Sequence, residues 1–557
     1  MTAPPRVTIV GGGLAGMTAA LRLSERGCRV RLYEQKAMLG GNLASRALAP
    51  GELLDVYPHM YLGWYCNFWA LMKDVGVDRD ERFEPFTTVQ QLAPGEFPRF
   101  TELINGYTLR QMLANIFSGI GPPADMGVFG YAIVDLLAER ENPTLRLDNL
   151  SMSGFLDARP YMTDLALAAY ETYITRVWGI PSYLISAIDC RTYLEYCLAE
   201  APPLSWLARG PAATEVIAPF ETALRAAGVE VELGVEVTNV SRRGDRASTI
   251  TLRRTTLDSR SYTWEGTGEQ WTEAVEELVL AVPAPTLTGL VRGRTAGERI
   301  VEVEPRLAEL ARLSTQRVPI LHVYFRNRIE GIPADPVGLY ESTLNLAFTD
   351  ISQAWQGIPA FAGRTVLAVS CSDPYALAGA HPTENGHQML RELAEYLNFD
   401  AGEEWGQSDA IDWVSTRFHE NNDTQLTLDA IGTDSLRPAA SCENVVNLSF
   451  AGDFCQQDIG LTTIEAAVAS GLEAVNSVIR RRDLGAEVEV LTPKRMPGYL
   501  YVCLRYALAP SAVAAKGWSL GAGQLLRSRS SAAGQQEPLL RYLLTPGLPA
   551  RRQRRES

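Results

Sequence analysis

Gly11, Gly13 and Gly16 stand at GxGxxG spacing within VTIVGGGLAGMTAALRLSERGCRVRLYE, directly after the apolar run Val7, Ile9 and Val10. Glycines placed after a buried strand and before a helix suit one chemistry, the binding of a dinucleotide pyrophosphate. Gly11 permits a tight turn, Gly13 lets backbone approach the phosphates, and Gly16 lets the helix pack on the sheet with its amide-rich N-terminus facing them. Ala19, Ala20 and Leu23 give that helix a buried face and Gly27 ends it. A second strand, Arg29 to Tyr33, leads to Glu34, placed to accept hydrogen bonds from an adenosine ribose. Isolated glycines also punctuate ordinary turns, but the order of strand, glycines, helix, strand and acid predicts a dinucleotide site. It does not separate FAD from NAD.

A second group lies near the other end, in VVNLSFAGDFCQQDIGLTTIEAAVASGLEAVNSV over 445–478. An apolar strand, the pair Gly452 and Asp453, and a polar loop precede a helix. Thr462 with Glu465 three residues on reads as a capping box opening it. The amides at Thr463 and Ile464 would give that helix start a partial positive charge. Elements between the two groups must bring them together. Gly40 and Gly41 allow another close backbone approach. An aromatic loop from Leu54 leads into an amphipathic helix with Phe68, Leu71, Met72 and Val75 on one face. Residues 83–207 read as irregular, with helical stretches interrupted by prolines, among which Tyr107 to Ile120 and Val128 to Leu137 are apolar on several faces. They are either buried helices or the greasy mouth of a lipid site, and burial is the commoner use. A helix carrying Val216, Phe220 and Leu224 precedes a hairpin ending at Val240, and strands are expected at Val279 to Val282, Val318 to Phe325 and Thr365 to Val369. His322, in an alternating strand, reads as a hydrogen-bonded inward group rather than a catalyst.

With 557 residues and an ordinary globular composition, two or three folding units are expected. A net charge of -14 argues against nucleic acid as the main partner. No apolar run reaches the roughly 18 residues of a membrane span. The N-terminus passes straight into the first strand without a signal-peptide pattern, so a cytoplasmic location is expected. The eight cysteines form no CxxC pair and the five histidines no metal spacing, so neither a disulfide framework nor a metal is expected. Basic residues gather after the last expected helix, from Arg480 to the terminal RRQRR.

The run from Val7 through Val77, with its GG loop and the His-containing aromatic loop from Asp55 to Tyr65, resembles the flavin-containing amine oxidase and carotenoid desaturase superfamily. The likeness is strongest to phytoene and zeta-carotene desaturases and to hydroxysqualene dehydroxylase-like proteins. The AGD pair followed by an E-A-V-x-SG helix resembles that superfamily's closing motif. The resemblance implies FAD as cofactor, in an α/β, Rossmann-type FAD-binding domain (GR2-like) interleaved with an α+β substrate domain. It implies FAD contacts at Gly11, Gly13, Ala15, Gly16 and Glu34, then at Gly40, Gly41, Asn42, His59, Met60 and Tyr65. Further contacts are implied at Val237, where main chain meets adenine, at Gly452 and Asp453 beside a ribitol hydroxyl, and at Thr463 and Ile464 beside the pyrimidine edge. Asn42 replaces the family's usual Arg or Lys, so a phosphate contact there needs Arg46 instead. Arg191, in CRTYLEY, matches an Arg facing the substrate cavity, with a salt bridge as the plain alternative. Trp413 and His419 lie where the superfamily often places substrate-pocket aromatics.

The expected domain plan assigns 1–80, 208–300 and 437–482 to FAD, 81–207 and 301–436 to substrate, and 483–557 to a basic C-terminal tail. The tail is either disordered, the plainer reading, or a peripheral membrane contact. The resemblance implies removal of hydride from a large apolar substrate such as an isoprenoid, with O2 or a quinone as acceptor. An amine oxidase is the alternative. Lys36, Lys73, Lys494 and Lys516 are the only lysines, however, which leaves no candidate for the lysine that holds water near the flavin in many amine oxidases. Redox-neutral isomerisation or dehydroxylation, and a non-catalytic flavoprotein that binds lipid or a partner, remain open.

Overall fold

The computed structural model describes residues 4–49, 52–104, 108–119, 121–139, 146–179, 181–258, 263–355, 357–424 and 426–530. Five segments far apart in sequence form one parallel sheet, in the order Glu230–Leu233, Arg29–Glu34, Arg6–Val10, Glu277–Leu280, Leu448–Phe450. Val7, Ile9, Leu32, Val279 and Leu280 are buried, the continuous apolar pattern required of a parallel sheet covered on both faces. This is an α/β, Rossmann-type fold.

Seven helices matter here: α1 (Leu14–Glu25), α2 (Cys66–Asp74), α3 (Leu109–Ile116), α4 (Pro123–Ala138), α5 (Asp164–Trp178), α6 (Ile464–Arg482) and α7 (Gly498–Ser530). The ends of the expected helix over Tyr107 to Ile120 lie outside the described residues, and α3 is what forms within it. α1 and α6 pack together beneath the parallel sheet, with α2 against α6 in the same core. A close approach makes this possible: a Cβ on Gly471 of α6 would lie 2.6 Å from the Ala15 carbonyl oxygen of α1.

Between its passages through the parallel sheet the chain builds a seven-stranded mixed sheet. Its order is Arg417–His419, Ile320–Tyr324, Val366–Cys371, Leu346–Asp350, Val337–Leu339, Thr88–Leu92, Thr101–Ile104. All neighbours pair antiparallel except the parallel pair of Thr88–Leu92 with Val337–Leu339. α4, α5 and neighbouring helices form a separate apolar cluster beside it.

Two expectations fail locally. The capping box at Thr462 and Glu465 does not form, because Thr463 is the N-cap and accepts from the Ala466 amide at 3.2 Å. Glu465 reaches instead to the start of α2, where its carboxylate accepts from the Asn67 amide (2.8 Å), the Phe68 amide (2.9 Å) and Asn67 Nδ2 (2.7 Å). Buried donors of a neighbouring helix outcompete its own backbone, and the carboxylate caps a helix almost 400 residues away in sequence. The segment after 482 is not uniformly a disordered tail. α7 packs along α4 with Tyr501 and Ala512 buried, and Arg505 pairs with Glu139 (3.0 Å) and Asp135 (3.5 Å). Burial of Tyr501 and Ala512, a cation for two buried acids and a hydrogen bond from Ser519 to Asp125 (3.0 Å) hold it there. Residues 531–557 of the expected tail lie outside the described residues. No described helix is long and apolar enough to cross a membrane.

Candidate active site

One cavity of about 800 Å³ opens at the C-terminal ends of four parallel strands, lined by Val10 and Gly11, Tyr33 and Glu34, Ala281 and Val282, and Gly452. In open α/β sheets that crevice is where ligands bind. The Gly11 backbone has φ +106°, and a Cβ there would lie 2.1 Å from the Ala281 carbonyl oxygen, so only glycine can make the turn. The GG loop folds against it: the Gly40 amide donates to the Gly12 carbonyl (2.8 Å), and a Cβ on Gly41 would lie 3.0 Å from Gly13 Cα. Two stretches of bare backbone thus border the cavity side by side. The N-cap of α1 is Gly13 and supplies no side-chain cap, so the first amides of that helix stay available to a phosphate.

Glu34 holds this loop from the inside. One carboxylate oxygen accepts from the Gly12 amide (2.7 Å) and the other from the Lys36 amide (2.8 Å). Burial pushes its carboxyl up while these amides pull it down, and the upward effect prevails. Lys36 Nζ is tied to Asp423 (3.2 Å) and Thr424 (3.2 Å).

At the far end Asp453 lines the cavity with Asp429, Thr462, Thr463 and Ile464. Burial first, then the charge of Asp429, push the Asp453 carboxyl up to about 6, against a smaller opposing effect of Arg437. Asp429 is itself fixed by a buried pair with Arg437 (2.8 Å) and by the Thr462 amide (3.1 Å). His59 lines the cavity between the ends; burial pushes its imidazole down to about 4, so it is neutral at ordinary pH.

The rest of the same cavity is a chamber with a different lining. Its walls come from α3 (Met112, Ile116), α4 (Met126, Phe129, Ile133), α5 (Tyr173, Val177, Trp178) and the mixed sheet (Val89, Phe348). Among the described residues of 86–193 and 336–372, no Asp, Glu, Lys, Arg or His lines it. Both readings of the apolar helices therefore apply to α4, whose Val128, Ala132 and Leu136 are core and whose Phe129 and Ile133 face the chamber.

Of the sequence-derived residues, Gly11, Gly13, Ala15, Glu34, Gly40, Gly41, Asn42, His59, Met60, Tyr65, Val237, Gly452, Asp453, Thr463 and Ile464 all line this one cavity. Gly16 does not, and its role is packing: a Cβ there would lie 2.0 Å from the Gly11 carbonyl oxygen. Arg191 is not brought to the cavity either; its guanidinium lies 3.7 Å from buried Glu195, one helical turn on. Arg46 cannot replace the side chain missing at Asn42, being held by Asn421 (2.6 Å) and Asp423 (2.6 Å) behind the lining. Trp413 packs on Trp405, and His322 and His419 sit in adjoining strands off the cavity. Asp429 and Asp423 escaped the sequence reading, since neither stands in a motif; only their distance from Arg437, Arg46 and Lys36 in space marks them.

A parallel sheet with a glycine cradle, a ribose-side acid, a second acid and a helix start along one elongated cavity defines a dinucleotide-binding α/β oxidoreductase. The residues present fit FAD, since the lining sets a bare glycine cradle, the carboxylates of Glu34 and Asp453 and an open helix start along one cavity. The model of the family "Flavin containing amine oxidoreductase" matches residues 14–479, and the chain belongs to that family, the FAD-dependent oxidoreductases of the amine oxidase superfamily. Over 205 residues it is 35% identical to the zeta-carotene desaturase of Solanum lycopersicum, covering 35% of this chain and 33% of that protein. Over 204 residues it is 28% identical to the carotenoid phi-ring synthase of Streptomyces griseus, covering 33% of this chain and 37% of that protein. The matched stretch is thus only about a third of either relative's length. The solved cyclohexylamine oxidase of Brevibacterium oxydans superposes with a TM-score of 0.56 at 14% identity, over 86% of this chain and 100% of that one, a likeness of fold.

Proposed function

We propose that this protein removes hydride from a large apolar substrate of the isoprenoid or carotenoid class. The observation that carries the reading is the chamber, whose described walls over 86–193 and 336–372 present no carboxylate, ammonium, guanidinium or imidazole to the substrate. FAD, when bound, supplies the hydride acceptor. The chain does the positioning. Glu34 holds the glycine cradle closed and offers its carboxylate to ribose hydroxyls, Asp453 offers another acceptor, and the amides at Thr463 and Ile464 stabilise negative charge. The phenyl, indole and aliphatic walls exclude water and hold a substrate C–H bond in place. We assign 1–80, 208–300 and 437–482 to the flavin unit and 81–207 with 301–436 to the substrate unit.

An amine is disfavoured because an ammonium entering the chamber would meet no carboxylate on those walls, and the one lysine on the cavity lining is engaged by Asp423. The test is anaerobic mixing of the purified yellow protein with a panel of polyprenes and of amines, followed by the loss of oxidised-flavin absorbance. Bleaching by polyprenes is expected. Bleaching by amines alone overturns the reading, and reoxidation with O2 against a soluble quinone then identifies the acceptor.

A further inference from the structure

Helix α7 lies beyond the residues that match the family, and its two sides differ in kind. The inner side buries Tyr501 and Ala512 on α4 and directs Arg505 to Glu139 and Lys516 to the Pro160 carbonyl. On the outer side Tyr499, Tyr506, Val513 and Leu520 recur at every seventh residue as one exposed stripe, and Trp518, Leu504 and Leu508 are exposed on the other flank of that side, roughly a third to a half turn round the helix. Tyr506 is 70%, Val513 67% and Trp518 61% exposed. The other exposed positions between Tyr499 and Leu520 are Cys503, Ala507, Pro510, Ser511, Ala514 and Gly517, so that face carries no charge over about 30 Å of helix. A face of this size and composition marks an interaction site rather than ordinary surface.

We propose that the outer face of α7 docks this protein on an anionic lipid surface, lying in the interface rather than crossing it. Charge selects this occupant. Residues 498–530 hold Arg505, Lys516, Arg527 and Arg529 with no acid, and Arg541 and the RRQRR run at 551–555 follow against Glu537 and Glu556, whereas the whole chain carries -14. An anionic surface attracts this end of an otherwise acidic molecule. A second copy placed face to face would instead juxtapose two basic segments. Tyr and Trp on this side suit the boundary between headgroups and acyl chains. The location has a use that rests on the function proposed above: α4, directly under α7, is one helix thick, and its Phe129 and Ile133 line the chamber. α3, also packed on α4, turns Met112 and Ile116 to the chamber and leaves Leu113 and Phe117 exposed. A substrate dissolved in lipid would have a single helical layer to pass.

The test uses the full-length flavoprotein and vesicles of phosphatidylcholine, alone or equimolar with phosphatidylglycerol. Cys503 is the one exposed cysteine, the others being buried or half-buried, so an environment-sensitive dye can be placed on the stripe itself. Flotation with the mixed vesicles and a blue shift of the dye are expected, with vesicle affinity reduced about tenfold or more in Tyr506→Ser/Trp518→Ser at unchanged flavin content. No flotation and no shift with either vesicle overturns the proposal. So does flotation that the double substitution leaves intact and salt abolishes, which would assign binding to basic residues alone. A blue shift that grows with protein concentration without vesicles, together with dimer sedimentation, identifies a second copy and also overturns it. None of these readouts needs substrate, so the hydride-transfer reading fails or stands separately, on flavin bleaching by detergent-dispersed polyprenes.

Discussion

Asp453 and Glu34 are both carboxylates at the ends of parallel strands, but their surroundings give them different work. In Asp453 burial and the nearby Asp429 hold the carboxyl up at about 6, against about 3.9 in an unfolded chain. A raised acid contributes stability that is complete below the unfolded value and is lost as pH rises through the folded one. The protein without flavin should therefore lose on the order of 2 kcal/mol at this site between about pH 4 and pH 7. Asp453→Asn should remove that loss, raising the melting temperature of the flavin-free protein at pH 7 and leaving it unchanged near pH 4, while flavin affinity falls tenfold or more with the lost charged acceptor. Thermal melts at the two pH values and a flavin titration check both halves. Glu34 receives two backbone amides, and its amide analogue offers one acceptor oxygen in place of two. Glu34→Gln should cost about 1–3 kcal/mol in urea unfolding and reduce the flavin content of the purified protein. The types and spacing of these two acids were legible because each ends a strand in a recognisable motif. The partnership of Asp429 with Arg437, eight residues apart in irregular chain, was not.

At the scale of elements, helix starts and close backbone contacts carry the site. Glu465 satisfies four donors at the start of α2 from within α6, the Cys66 thiol included, and it is fully buried. Glu465→Ala should leave those donors without partners and destabilise by about 3 kcal/mol or more, a loss that Glu465→Gln recovers in part; chemical denaturation of both variants measures it. Gly16→Ala should force α1 off its strand because the added carbon overlaps the Gly11 carbonyl, costing about 2–4 kcal/mol and abolishing flavin retention together. Capping patterns read locally failed at Thr462 because a helix start in another part of the chain competed for the same carboxylate, and sequence spacing contains no information about that competitor.

At the scale of the whole molecule, the chamber and α7 are joined through α4. Removing residues 498–557 would expose Tyr501's contact surface and strip Arg505 from buried Asp135 and Glu139. Such a truncation is expected to lower the melting temperature and to promote aggregation, as seen by scattering during a thermal ramp, because two buried carboxylates would lose a cation. Ile133→Asp, placed on the chamber wall, should leave the flavin bound and suppress bleaching by polyprenes, since the new charge must be desolvated to admit an apolar chain.

The sequence by itself determined the Rossmann-type sheet, its glycine cradle and the two acids at its strand ends, because these features depend on local backbone geometry and short spacings. Tertiary structure alone decided that Arg191 turns to Glu195, that Arg46 serves Asp423, that Glu465 caps α2 and that the apolar helices divide their faces between core and chamber. Each of those outcomes is a choice among partners distant along the chain. Burial and electrostatics settle such choices only after the elements have packed.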